Sequence, residues 1–144
     1  MIKFQLVTLD GTKIDEDVYE VRLPTPDGEI GVFLDHMPLV SLASPGIIKV
    51  RRKQNTPDDM MEVYATNGGV IEIVDNTIRV LVDEADHTDE INETEAKKAH
   101  EHALKLRSEA KDQRSLSEAQ SLLDRSALRI KVADLKRHRR KQYK

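Results

Sequence analysis

Glycine and proline are confined to one side of this chain. Gly11, Gly28, Gly31, Gly46, Gly68 and Gly69, with Pro24, Pro26, Pro38, Pro45 and Pro57, all lie at or before position 69, and the remainder of the 144 residues has neither. Residues that break the backbone into short pieces permit a sheet of strands joined by turns; their absence permits long uninterrupted helices. The chain is therefore expected to be two structures in series, a β-rich part over residues 1–85 and a helical part over residues 86–144.

The first part reads as short alternating runs. Residues 4–8, 18–23 (stopping at Pro24), 29–33, 47–51, 61–65, 70–74 and 77–82 are rich in Val, Ile, Phe, Tyr and Leu, with polar residues between. Asp75-Asn76 separates the last two runs and suits a two-residue hairpin connection. Many short strands with Gly/Pro turns point to a β-sandwich.

The second part changes period. Ala96, Ala99, Ala103, Leu106 and Ala110 step by three and four residues, as do Leu116, Ala119, Leu123, Ala127, Ile130 and Ala133. Each set makes one apolar stripe on a helix. Asn92 three before Glu95, and Ser115 three before Glu118, suit capping boxes opening the two helices. The short polar link over residues 111–114 predicts antiparallel packing. Alanine-rich stripes bury little area, so adhesion between the helices is weak, and the hairpin is expected to open or detach.

Composition removes several function classes. No cysteine is present, so disulfides, thiolate nucleophiles and Cys-based zinc sites are absent, which fits a reducing compartment. The five aromatics, Phe4, Phe33, Tyr19, Tyr64 and Tyr143, are too few for a base-stacking platform. No run approaches the length of a membrane helix, and no secretory signal is expected from the first residues. The net charge of -3 is uneven: residues up to Ala85 are acidic, and the later part is basic, ending in the cationic run 136–141. That run reads most simply as a solvated tail, with nucleic acid or an acidic protein surface as the alternatives. Arg125 and Arg129 lie one turn apart and share a face, either solvated or directed at an acidic partner or phosphate. His100 and His102 are two apart, the wrong spacing for a metal pair on a helix, so they read as solvated; no metal site is expected. His87, between Asp86 and Asp89, reads as linker. Ser41 and Ser44 lack a nucleophile-elbow context, and Asn67-Gly68-Gly69 reads as a tight turn, not a phosphate loop. A small β-sandwich enzyme would need convergent titratable groups, and no such set stands out.

An ordered series of motifs is more specific. Residues 27–40, DGEIGVFLDHMPLV, resemble the G-E-x-G-(x4)-H-x-P-L segment of the epsilon subunit of F-type ATP synthases. Residues 45–50, PGIIKV, and 67–73, NGGVIEI, resemble that family's next landmarks, and residues 130–136, IKVADLK, its second helix. The resemblance covers essentially the whole chain. It implies a sandwich of about ten strands followed by a two-helix hairpin, with no catalytic residue and no required cofactor. It implies a rotor subunit binding the gamma subunit, the c-ring and the alpha/beta hexamer, not nucleic acid, which couples proton translocation to ATP synthesis. Its place would be the cytoplasmic face of a bacterial plasma membrane, or the plastid equivalent, reached only through the complex. By the same resemblance Glu29 lies close to the c-ring loops, with His36, Pro38 and Leu39 in the same strip; His36 is equally well a hydrogen-bonded loop residue. The helices would restrain ATP hydrolysis, with Arg125, Arg129 and Lys136 facing acidic segments of beta.

Some family members bind ATP in the hairpin through an I/L-D-x-x-R-A motif and two arginines of the second helix. The matching residues here are Ile91, Asn92, Glu95 and Ala96, with Arg125 and Arg129. Asn92 stands for the Asp and Glu95 for the Arg. The Glu places negative charge where the family has positive, so weak or absent ATP binding is expected.

Overall fold

A computed structural model of the chain describes residues 1–142; Tyr143 lies outside them. The chain divides into two compact units, one over Met1–His87 and one from Thr88 onward.

The first unit has ten strands. They are β1 (Ile2–Thr8), β2 (Gly11–Val18), β3 (Glu20–Thr25), β4 (Gly28–Val32), β5 (Leu39–Ala43), β6 (Gly46–Arg51), β7 (Glu62–Thr66), β8 (Gly69–Val74), β9 (Thr77–Val82) and β10 (Ala85–His87). They form two five-stranded sheets, ordered β2-β1-β9-β8-β5 and β10-β7-β6-β3-β4. All pairings are antiparallel except β1 with β9. Alternate residues turn inward: Ile2, Phe4, Leu6, Ile71, Ile73, Ile78 and Val80 from the first sheet meet Val21, Leu23, Val32, Ile48 and Val50 from the second in one buried core. This is the face-to-face packing of two sheets that period-two patterning produces.

Seven of the ten strands are readable in the sequence, and three are not. In β2 only Ile14 and Val18 are buried, and the acidic run between them hides the alternation. Glu16 pairs with Phe4 on the core-facing side of this edge strand, and its carboxylate meets Arg52. An inward charge on an edge strand discourages strand addition by another chain. In β5 the large residues Val40 and Leu42 face solvent, while Ala43 is buried and Leu39 packs against the core, the reverse of the usual pattern. β10 has only three residues. The 18–23 run is corrected too: Tyr19 breaks it between β2 and β3, and β3 passes through Pro24 to Thr25. Pro24 is tolerated because the β3–β6 ladder ends at Arg22, so its missing N–H is not needed there.

The expected hairpin turn is present. Asp75 and Asn76 have φ of 48° and 57°, the left-handed pair that matches strand twist.

The second unit is a 3-10 turn (Thr88–Glu90) followed by α1 (Glu93–Glu109) and α2 (Gln113–Gln142). Asn92 caps α1 as expected, its side chain accepting from the Glu95 N–H at 3.2 Å. The cap of α2 is different from the expected one. Asp112, not Ser115, caps it, its Oδ1 accepting from the Ser115 N–H at 2.7 Å. A carboxylate is the stronger partner there because it also faces the positive end of the helix dipole.

Candidate interaction surfaces

The connection over residues 33–38 leaves β4, an edge of the second sheet, and enters β5, an edge of the first. Asn76 anchors it. The Asp35 N–H donates to Asn76 Oδ1 at 2.6 Å, and Asn76 Nδ2 donates to Asp35 Oδ1 at 3.1 Å. The Lys3 N–H donates to the Asn76 carbonyl at 3.0 Å, and Phe33 sets its ring edge-on to Tyr19 with centroids 5.8 Å apart. The loop therefore has fixed geometry, and it presents Phe33, Leu34 and Met37 to solvent. His36 hydrogen-bonds the Met37 carbonyl through Nδ1 at 2.7 Å, Pro38 is exposed, and Leu39 packs against the core.

Glu29 is not beside them. It is the second residue of β4, opposite Pro24, and its carboxylate meets Lys49 Nζ at 3.0 Å. Three residues of strand, roughly 10 Å, separate it from Val32 at the far end of β4, where the loop begins. Glu29 and the residues His36, Pro38 and Leu39 thus lie toward opposite ends of one sandwich edge.

The outward face of the first sheet carries a surface that the sequence reading did not find. Register aligns Leu42 with Val70 and Val70 with Leu81. These side chains, 62%, 41% and 47% exposed, form an apolar row across three strands, with the exposed Val40 beside it. The next row is polar, running from Glu72 to Arg79 to Gln5. The available signal was the near-continuous hydrophobicity of β8 and β9, which marks strands covered on both faces.

On the second sheet the outward face is charged and self-satisfied. Glu20 and Arg51 are both buried; Glu20 accepts from Arg51 Nε at 2.6 Å and from Arg22 Nε at 2.7 Å. Asp58 accepts from Arg22 at 3.0 Å and pairs with Arg51 as well. Burial raises the Glu20 carboxyl pKa, but the hydrogen bonds from Arg22 and Arg51 outweigh it and hold the group below its ordinary value. Arg51 also bonds the Thr56 carbonyl, so the network tethers the loop before β7.

In the helical unit the observed seam differs from the predicted stripes. Ala96, Ala103, Ala119, Leu123, Val132 and Ala133 are buried, but Ala99, Leu116 and Ala127 are exposed. Ser126 is buried in place of Ala127, and His100, expected to be solvated, reaches it with Nδ1 at 3.3 Å. Ser126 Oγ donates to the Leu123 carbonyl at 2.9 Å, so its single proton is used and His100 Nδ1 is the donor. Arg107 meets Gln120 at 3.2 Å nearer the turn. These two pairs set the antiparallel register.

That register separates the candidate basic residues. Arg125 and Arg129, both half-buried, flank the level of His100, about two turns along α1 from Asn92. Lys136 lies at the open end, paired with Asp89. Of the residues matching the nucleotide motif, Asn92 is committed to its cap, Glu95 is exposed, Ile91 is half-buried and Ala96 lies in the seam.

The model for the ATP synthase Delta/Epsilon chain beta-sandwich domain matches residues 1–88. The chain belongs to the ATP synthase epsilon chain family. The epsilon chain of Herpetosiphon aurantiacus is 31% identical over 139 residues, covering 96% of this chain and 98% of that one. That of Chloroflexus aggregans is 29% identical over 142 residues, covering 98% of each. A chain in the Euglena gracilis mitochondrial ATP synthase structure, comprising OSCP, F1 and the c-ring, superposes with a TM-score of 0.72 at 25% identity, covering 85% of this chain and 75% of that one. Membership of the epsilon family makes this protein a non-catalytic subunit of an ATP synthase. Among the described residues no helix is long and apolar enough to cross a membrane.

Proposed function

We propose that this epsilon chain is a rotor subunit of the central stalk. Its sandwich docks on the gamma subunit through the outward face of the first sheet and meets the c-ring loops through residues 33–38. Rotation driven by proton flow is carried past it to the nucleotide sites of the alpha/beta hexamer, at the cytoplasmic face of a bacterial membrane that it reaches only through the complex. The observation that carries this reading is the apolar row Leu42, Val70 and Leu81. A contiguous apolar strip on an otherwise charged surface marks a protein interface. Tagged protein recovered from solubilised membranes should bring gamma and the c-ring with it. Leu42→Asp with Leu81→Asp should abolish that recovery while leaving the thermal stability of the sandwich intact, since neither side chain is in the core. Unchanged recovery would refute the assignment of the face.

The helical unit supplies the regulatory arm, with Arg125, Arg129 and Lys136 contacting acidic segments of the beta subunits and restraining hydrolysis. Replacing all three by Ala should raise ATP hydrolysis in a reconstituted complex. ATP itself binds the isolated subunit weakly or not at all, because Asn92 is occupied as a cap and Glu95 repels phosphate. Micromolar affinity by calorimetry would overturn this.

A further inference from the structure

At the open end of the hairpin, charge pairs across the helices are added to the buried side chains Ala96, Val132 and Ala133. Along the middle, small side chains fill the seam. At the open end, where α1 begins and α2 is near its end, ion pairs between described residues cross the hairpin. Lys136 Nζ meets Asp89 in the 3-10 turn, and Arg137 Nη1 meets Glu93, the first residue of α1, at 3.3 Å. Lys97 meets Glu93 from the same helix at 3.2 Å, and Asp134 holds the other side of the Arg137 guanidinium. Beyond these pairs α2 carries His138, Arg139, Arg140 and Lys141 before its last residue.

We propose that these two pairs form an electrostatic clasp that governs opening of the hairpin. The clasp is built from Lys136, one of the three cations assigned above to an acidic partner, so this inference rests on that reading of the helices. While Lys136 is paired with Asp89 it is not available to an acidic surface elsewhere. Release of the arm therefore includes exchange of one carboxylate for another, alongside exposure of the mostly small side chains of the seam. Exposed pairs of this kind hold weakly and are screened by salt, which suits a contact that must be given up.

The test uses the full-length chain carrying spin labels at the exposed positions Glu101 on α1 and Lys131 on α2, with the distance distribution read by pulsed electron–electron resonance. Asp89→Lys should increase the open population by about two- to fivefold at low salt, the range an exposed ion pair supports. Adding Lys136→Asp should return it to the starting value, because the pair is restored with its charges exchanged; Glu93→Gln should open the hairpin in the same direction. In the parent chain, the open population should rise at molar salt, where the screening length is about 3 Å. An unchanged distribution in Asp89→Lys, or failure of the exchanged pair to restore it, would overturn the clasp. Hydrolysis measured on the reconstituted complex separates this from the underlying reading. If Asp89→Lys opens the hairpin and hydrolysis does not change, the clasp stands and the restraint of hydrolysis by the helices falls.

Discussion

At Gly69 an added methyl group would sit 1.9 Å from the carbonyl oxygen of Leu81, inside the β8–β9 ladder. Neither backbone can yield without breaking the pairing of Gly69 with Val82, so Gly69→Ala should destabilise the sandwich by at least about 2 kcal/mol in chemical denaturation. Its neighbour Gly68, at φ 102°, lies in the two-residue connection from β7 to β8, where the sequence points to a tight turn and the backbone instead crosses between the sheets. Glu20 makes a second residue-level case. Its pKa is depressed in the folded chain, so its contribution to stability is complete above about pH 5, where the unfolded group is ionised, and is lost as pH falls through the lower folded value. Glu20→Gln should remove its share of the acid limb from the stability profile and cost about 3 kcal/mol at neutral pH, because Arg51 stays buried with one of its two carboxylate partners gone. Asp112 follows the same sign. The Ser115 N–H lowers its pKa, so helix content measured by circular dichroism should fall as pH drops through that value, and Asp112→Ala should abolish that step.

The elements differ in how much of them local sequence could reveal. Strands β8 and β9 and the Asp75-Asn76 turn between them are specified by period, branched residues and positive φ, all of them local. Strand β2 is not: five of its eight residues are Lys, Asp, Glu or Thr, and it is a strand because β1 offers it a ladder along its length, interrupted by one register shift at Lys13. The helices show the same division. Their existence follows from the lack of Gly and Pro, but the facing residues depend on a rotation of each helix that no single-helix pattern contains. Ser126 took the seam position of Ala127 because its hydroxyl finds both the Leu123 carbonyl and His100 there. Ser126→Ala should therefore lower hairpin stability by about 1 kcal/mol, read as a shift in the unfolding midpoint of the helical unit, despite placing the better helix former in an apolar seam.

For the whole molecule, the division into two units predicts separable folding. A fragment of residues 1–87 should unfold cooperatively on its own. A fragment ending at residue 84 should be measurably less stable by thermal melting, since it removes β10 from the edge of β7 and the edge-on contact of His87 with Tyr64 at 5.0 Å. The candidate surfaces are molecular-scale properties as well. Glu29 and His36 are close in sequence, yet a strand carries them to opposite ends of one edge. Leu42, Val70 and Leu81 are far apart in sequence, yet register makes them one row. The chain's own sequence determined the order of strands before helices, the turn chemistry, the first helix cap and the family motifs, because each depends on residues within a few positions of one another. Only the tertiary structure decided which strand faces are open, which helix positions meet, and that Lys136 and Arg137 close the hairpin on Asp89 and Glu93. Those outcomes depend on register between distant segments, which is set by the packing of the whole unit and is written in no local window.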